Sequence, residues 1–406
     1  MQKTQPKTLT CSILSLSLLT VMAGAAVAPA LGVIREAFSD QPQLLIQLIL
    51  SMPALFIFLT NLIFPRLSKK FGSKTLVMAG LLLYTVGGVA AGCFSNIYLV
   101  LLMRALVGVG VGIMMPLSTG LLAYYYPPES QAKLSGYASA MNQMGGVIAT
   151  LLTGVLSSIN WRCSFLVYLM GLISIVLCLI FLPNDHIQSG EPEEKKEKES
   201  KTSVGSSFKA YYVYIIAMFL LTLCFFLYPA NYALETIRFD PMIPHNLIAV
   251  IMAFTDIIAT LSGFFFVNLV QALKKWLRFL PPVLFLGGFV LLWVGGWAGT
   301  LLGSACVGFA NGCGIPYLIS QGSLKAGKTA AHTVMPLVSA ALYLAQFICP
   351  FLQSAVGGFL DSFRHPAYLL GIVMSVLYLI WSFFVPFITP YSNPDEKPVP
   401  KTSDAE

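Results

Sequence analysis

Leu101–Leu117 reads LLMRALVGVGVGIMMPL, and Leu301–Tyr317 reads LLGSACVGFANGCGIPY. At an offset of 200, seven of these seventeen positions coincide: Leu101/Leu301, Leu102/Leu302, Ala105/Ala305, Val107/Val307, Gly108/Gly308, Gly112/Gly312 and Pro116/Pro316. Each run is apolar, with glycines and a proline at matching places. A long apolar segment that returns halfway along the chain reads as two copies of one unit. In membrane proteins such duplication points to secondary transport, with the cargo path between the copies.

The rest of the chain agrees with a lipid solvent. Apolar residues make up 57% of the 406 and charged residues 10%, and mean hydropathy is +0.78. A soluble domain of this length needs far more surface charge. Hydropathy places twelve spans near 8–30, 43–65, 75–94, 97–124, 136–158, 163–183, 210–234, 246–271, 279–297, 299–323, 333–356 and 366–389. Each reaches or approaches the roughly 20 residues that cross about 30 Å of hydrocarbon as a helix. Strict period-two alternation is missing, which argues against a barrel.

The net charge of +7 is a topology signal rather than a nucleic-acid footprint. With the N-terminus inside, 19 of the 24 Lys and Arg residues fall on the cytoplasmic side, four on the other, and Arg104 within a span. That imbalance predicts cytoplasmic termini. Lys3 and Lys7 precede an apolar stretch as in a secretory leader, but its length and its place as first helix of a repeat predict that it is retained. The eight cysteines form no CxxC pair and read as small packing residues.

Between the sixth and seventh spans, SGEPEEKKEKESKTSVGSS (189–207) is densely charged without apolar periodicity and reads as a solvated linker. The expected organisation is a six-helix half over 1–185, a cytoplasmic linker over 186–207, a second six-helix half over 208–390 and a disordered tail over 391–406. The other loops are too short for an extramembrane catalytic domain. Phe94-Ser95-Asn96 and Gly295-Gly296-Trp297 barely turn the chain.

Several motifs resemble the major facilitator superfamily, and the resemblance covers essentially the whole chain. Between spans two and three that family carries G-x-L-x-D-R-x-G-R-R/K; here Leu67, Lys70, Gly72 and Lys74 match, while Pro65 replaces the first Gly and Lys69 the Asp. In the family the Asp belongs to a charge latch between the halves. Arg104, Gly108 and Gly110, continuing to Gly112, match the R-x-x-x-G-x-G of span four, where small residues let backbones approach. Asn160-Trp161-Arg162-Cys163-Ser164-Phe165 looks like the W-R-x-x-F of the drug:proton antiporters, and Ala28-Pro29-Ala30-Leu31, ending span one and followed by Ile34-Arg35-Glu36-Ala37-Phe38, is similar to their first loop. Their fifth-span motif is only hinted at by Gly145, Gly146 and Gly154. The resemblance implies an all-α membrane protein with twelve transmembrane helices in two pseudo-symmetric six-helix halves.

The candidate site residues are the polar groups that the spans carry inward. Asp256 lies about ten residues into span eight, roughly 15 Å deep. A charged carboxylate there costs about 2.5–3.5 kcal/mol, which suits a site that binds and releases protons. Its alternative is a static hydrogen bond to Thr255 or Thr260. Arg104, roughly 10 Å below the outer face, either supports proton coupling, as the resemblance implies, or snorkels outward. Asn142, Gln143, Asn231, Glu235, Asn311 and Gln346 are cavity candidates; interhelical hydrogen bonding explains the amides equally well, and an i,i+3 pair with Arg238 explains Glu235. Pro229 is a hinge candidate for gating, with a static kink as alternative.

No HExxH, Walker or CxxC pattern occurs, so neither an enzyme nor ATP drive is expected, and no cofactor or metal. The expected activity is proton-coupled efflux of small amphipathic organic molecules by a monomer in the plasma (inner) membrane. The alternative is an uptake symporter or uniporter for a polar metabolite. The expected partners are a small organic substrate, protons and the lipid bilayer, and no nucleic acid.

Overall fold

The computed structural model describes residues 7–183, 204–240, 242–360 and 363–387, which are helical and contain no strand. The first half comprises α1 (Lys7–Ala25), α2 (Leu31–Ala37), α3 (Gln43–Lys70), α4 (Ser73–Ala91), α5 (Ile97–Tyr125), α6 (Pro128–Ile159) and α7 (Gly171–Phe181). Short 3₁₀ turns at Ala28–Ala30 and Trp161–Met170 lead into α2 and α7. The second half comprises α8 (Val204–Phe239), α9 (His245–Phe264), α10 (Phe266–Leu273), α11 (Leu280–Val294), α12 (Gly296–Leu360) and α13 (Pro366–Ser382). In hydrocarbon every backbone polar group needs an internal partner, which is why the whole described chain is helix with minimal turns.

Ten stretches of the described helices are long and apolar enough to cross a membrane. Two more fall short for visible reasons: α6 carries Asn142 and Gln143, and α13 has only 17 residues. Together they account for the twelve expected crossings. One boundary differs from expectation. α9 ends at Phe264 rather than near 271, and Phe266–Leu273 is a separate short helix with no buried residue. α8 begins at Val204, inside the expected linker; the rest of that linker, and the tail, lie outside the described residues.

α12 is assigned as one helix of 65 residues, yet it cannot be straight. Ser304 accepts a hydrogen bond from Tyr228, and Gln353 donates to Asn231. Those two partners are three residues apart on α8, whereas 49 positions of straight helix would separate Ser304 from Gln353 by about 73 Å. The run therefore doubles back between its two apolar spans, Gly296–Lys325 and Val334–Val356.

The duplication read from the sequence reappears in the packing. A Cβ on Gly108 would sit 2.5 Å from the Pro53 carbonyl oxygen of α3, and one on Gly110 2.6 Å from the Gly80 oxygen of α4. In the second half Gly308 abuts the Thr255 carbonyl of α9 in the same way. Each half thus uses its fourth span as a glycine-faced wedge against its second, the close approach that small residues permit. The turns are tight for local reasons. Asn96 and Asn160 cap the following helices by accepting from Tyr98 and Arg162 amides at 2.9 and 3.0 Å. Gly295 and Gly296 take φ of 76° and 77°, which glycine adopts without a Cβ clash.

Candidate functional site

A cavity of about 390 Å³ lies between the halves. α1, α3 and α6 form one wall; α8, α9 and both arms of α12 form the other. Its apolar lining includes Phe225, Phe226, Met252 and Leu342. Its polar lining brings together Asp256, Asn142, Gln143, Asn311 and Gln346, five of the sequence candidates. Among the described lining residues Asp256 is the one carboxylate, and no Lys, Arg or His joins it. Pro229 lines the cavity inside an α8 that continues through it.

Asp256 is part-exposed to this space, and its partner is not a local threonine. The Thr150 hydroxyl of α6, in the opposite half, donates to its Oδ2 at 3.2 Å. Thr260 donates instead to the Asp256 backbone oxygen at 2.8 Å, and Thr255 to the Ile251 carbonyl at 3.1 Å. The Oδ1 atoms of Asn142 and Asn311 are buried without a hydrogen-bond partner among the described residues. Such atoms are costly to leave unmatched, by roughly 1–3 kcal/mol each.

Two candidates lie elsewhere. Asn231 is buried in an amide cluster: Gln47 Nε2 donates to its Oδ1 at 2.6 Å and to Gln353 Oε1 at 2.8 Å, and Gln353 Nε2 donates to the same Asn231 oxygen at 2.6 Å. Along α3, α8 and α12 these residues lie between the cavity lining and the lysine-poor face. They join the halves and cap the cavity on that side. Glu235 does not pair with Arg238, which is exposed and stacks over Phe239 at 4.8 Å. It turns inward, accepting from the Ala367 amide at 3.3 Å and lying 3.3 Å from His365 Nδ1. The reason is the N-terminus of α13, whose free amides and dipole favour a carboxylate. His365, fully buried with φ 53°, and Asp240 complete this cluster. Only Pro366, suited to a helix start, marked its position in the sequence.

Arg104 is fully buried and does not snorkel. Its Nε donates to Ile49 O at 2.7 Å, one Nη to Ala23 O at 2.6 Å, and the other to the Tyr168 hydroxyl. The fork thus ties α5 to α1, α3 and the 3₁₀ turn before α7, all in the first half, with no bond to Asp256. The basic motif at the end of α3 is equally local. Leu67 packs on the core, Lys70 lies over Phe71 at 5.7 Å, Gly72 precedes α4, and Lys74 donates to the Leu179 carbonyl at 2.7 Å. Gly112 meets Thr60 of α3.

The family model of the Major Facilitator Superfamily matches residues 13–350. The chain is 28% identical over 104 residues to Multidrug resistance protein 3 of Bacillus subtilis (strain 168), covering 25% of this chain and 20% of that protein. It is 24% identical over 171 residues to Quinolone resistance protein NorA of Staphylococcus aureus (strain MSSA476), 42% of this chain and 44% of that one. It is also 25% identical over 173 residues to Sialic acid transporter NanX of Escherichia coli (strain K12), 42% and 41%. Each alignment spans less than half of the relative's length. Among solved structures, the fold matches a bacterial homolog of the lysosomal transporter Spinster (TM-score 0.73, 15% identity, 95% and 96% of the two chains). The nucleoside transporter NupG matches with TM-score 0.76 and 13% identity over 93% and 98%. With a helical bundle across its described residues and a family match over most of its length, the chain belongs to the Major Facilitator Superfamily.

Proposed function

We propose that this transporter couples protons to the export of small amphipathic organic molecules by alternating access, with Asp256 as the group that trades proton for cargo. The observation that carries the reading is the place of Asp256: among the described lining residues the one carboxylate in the cavity wall, held by a hydroxyl of the opposite half. When the halves separate, the Thr150 bond breaks and the carboxylate must find a proton, water or a cargo donor. That makes its protonation depend on conformation, which is what coupling requires. The lysine-rich face is read as cytoplasmic, with both termini on it, and the halves 1–185 and 208–390 as the two moving bodies of a monomer in the plasma membrane.

A second reading, uptake of a polar metabolite, is favoured by one feature. Asn142, Gln143, Asn311 and Gln346 place four amides on the cavity wall, more than an apolar cargo needs.

Proteoliposomes with an imposed proton gradient separate the two. Dyes, antibiotics and polar metabolites are offered, and the direction of gradient-driven movement is recorded. Asp256→Asn is expected to abolish gradient-driven accumulation, at least tenfold, while energy-independent exchange persists. Asp256→Glu keeps partial function. Full gradient-driven transport in Asp256→Asn would refute the coupling role.

A further inference from the structure

The second half carries a basic rim on the lysine-rich face, and we propose that this rim binds the phosphate of an anionic phospholipid. α10 has no buried residue, so it lies at the edge of the bundle and delivers Lys274–Phe279 to the membrane boundary. There Lys274, Lys275 and Arg278 gather. Lys274 and Lys275 are exposed, and among the described residues none of the three pairs with a carboxylate. Lys274 holds φ at 46° with ψ −121°, a conformation that glycine accepts more readily than a residue with a Cβ. Arg278 donates through Nη1 to the Val385 carbonyl at 3.0 Å, which fixes its guanidinium, yet its Nε is buried with no partner.

The surroundings select a lipid rather than a free anion. Trp276 is 62% exposed and Phe383 65% exposed, as aromatic side chains are at headgroup depth. Lys275 lies over the Trp276 ring at 5.7 Å and Arg278 over Phe279 at 4.7 Å, with Phe279 4.8 Å from Phe383. A phosphate has acceptor oxygens for the two exposed ammonium groups, and its acyl chains would run along the exposed rings. In the first half Lys74 already spends its ammonium on the Leu179 carbonyl. The inference does not depend on the direction of transport.

Native mass spectrometry of the full chain, released from micelles holding equal phosphatidylglycerol and phosphatidylcholine, tests it. Retention of one phosphatidylglycerol in preference to phosphatidylcholine is expected. Lys274→Gln with Lys275→Gln should weaken that retention about thirty-fold, the factor for two charges at ~1 kcal/mol each. Arg66→Gln with Lys70→Gln removes the same charge from the first half and should leave retention unchanged. Melting in phosphatidylcholine alone checks the fold; should the double variant melt early, Lys275→Gln alone carries the test, with about a five-fold loss expected. Equal retention of both lipids, unchanged retention in the Lys274/Lys275 variant, or an equal loss in the first-half control would each overturn the proposal.

Discussion

Two ionisable side chains sit deep inside the spans, and they are held in opposite ways. Arg104 is fully enclosed by its own half, with two carbonyls and a hydroxyl on its three nitrogens. Asp256 faces the cavity, and its carboxylate takes one bond, from the other half. A buried charge with a partner on each nitrogen has no reason to change state and acts as a pin. A carboxylate with spare lone pairs and a partner that moves can change state as the protein works. Depth alone does not separate the two; the number and origin of the partners does.

The sharpest way to break that comparison is Arg104→Ala. It strips the Ala23 and Ile49 carbonyls and the Tyr168 hydroxyl of a shared donor and leaves a hole, so a destabilisation of about 3–5 kcal/mol is expected. Arg104→Lys keeps the charge but not the planar fork and should recover only part of it. Thermal unfolding in detergent reads both. A loss under about 1 kcal/mol for Arg104→Ala would remove the pin.

Asp256→Asn is the complementary case. The amide still accepts from Thr150, so melting should shift by less than the equivalent of about 1 kcal/mol even though gradient-driven transport is lost. A large destabilisation would place Asp256 with Arg104 among structural groups. Less than the loss of transport in Asp256→Asn is the expected effect of Gln47→Leu, which takes two hydrogen bonds from the cluster that caps the cavity. About 1 kcal/mol per lost bond should favour opening toward the lysine-poor face. Cysteine labelling at Pro229→Cys, read from that face, should then rise several-fold, and unchanged labelling would deny the cluster a gating role.

The candidate site was partly legible in the sequence. Asp256 stood out because a short acid deep in a span has no route to water, and the amides of spans five, ten and eleven do line the cavity. Asn231 and Glu235 were misplaced for one reason. A residue's position along a helix gives its depth, but its neighbours depend on how helices far apart in sequence are rotated against one another. Gln47 and Gln353 claim Asn231 across 184 and 122 positions, and the start of α13 claims Glu235 across 132. The same limit hid His365, whose two carboxylate neighbours come from α8 and the turn after it.

By itself the sequence determined the solvent, the number of crossings, the two-fold duplication and the polar residues buried in the spans. Those follow from composition and local periodicity, because hydrocarbon forces the backbone into helix and tolerates few charges. Only the tertiary structure decided which of those polar groups share the cavity, which hold a half together and which join the two halves. Between helices in a bilayer the pairing is chosen by small-residue contacts and by hydrogen bonds across helices. Such contacts depend on rotation and register, which a single helix does not encode.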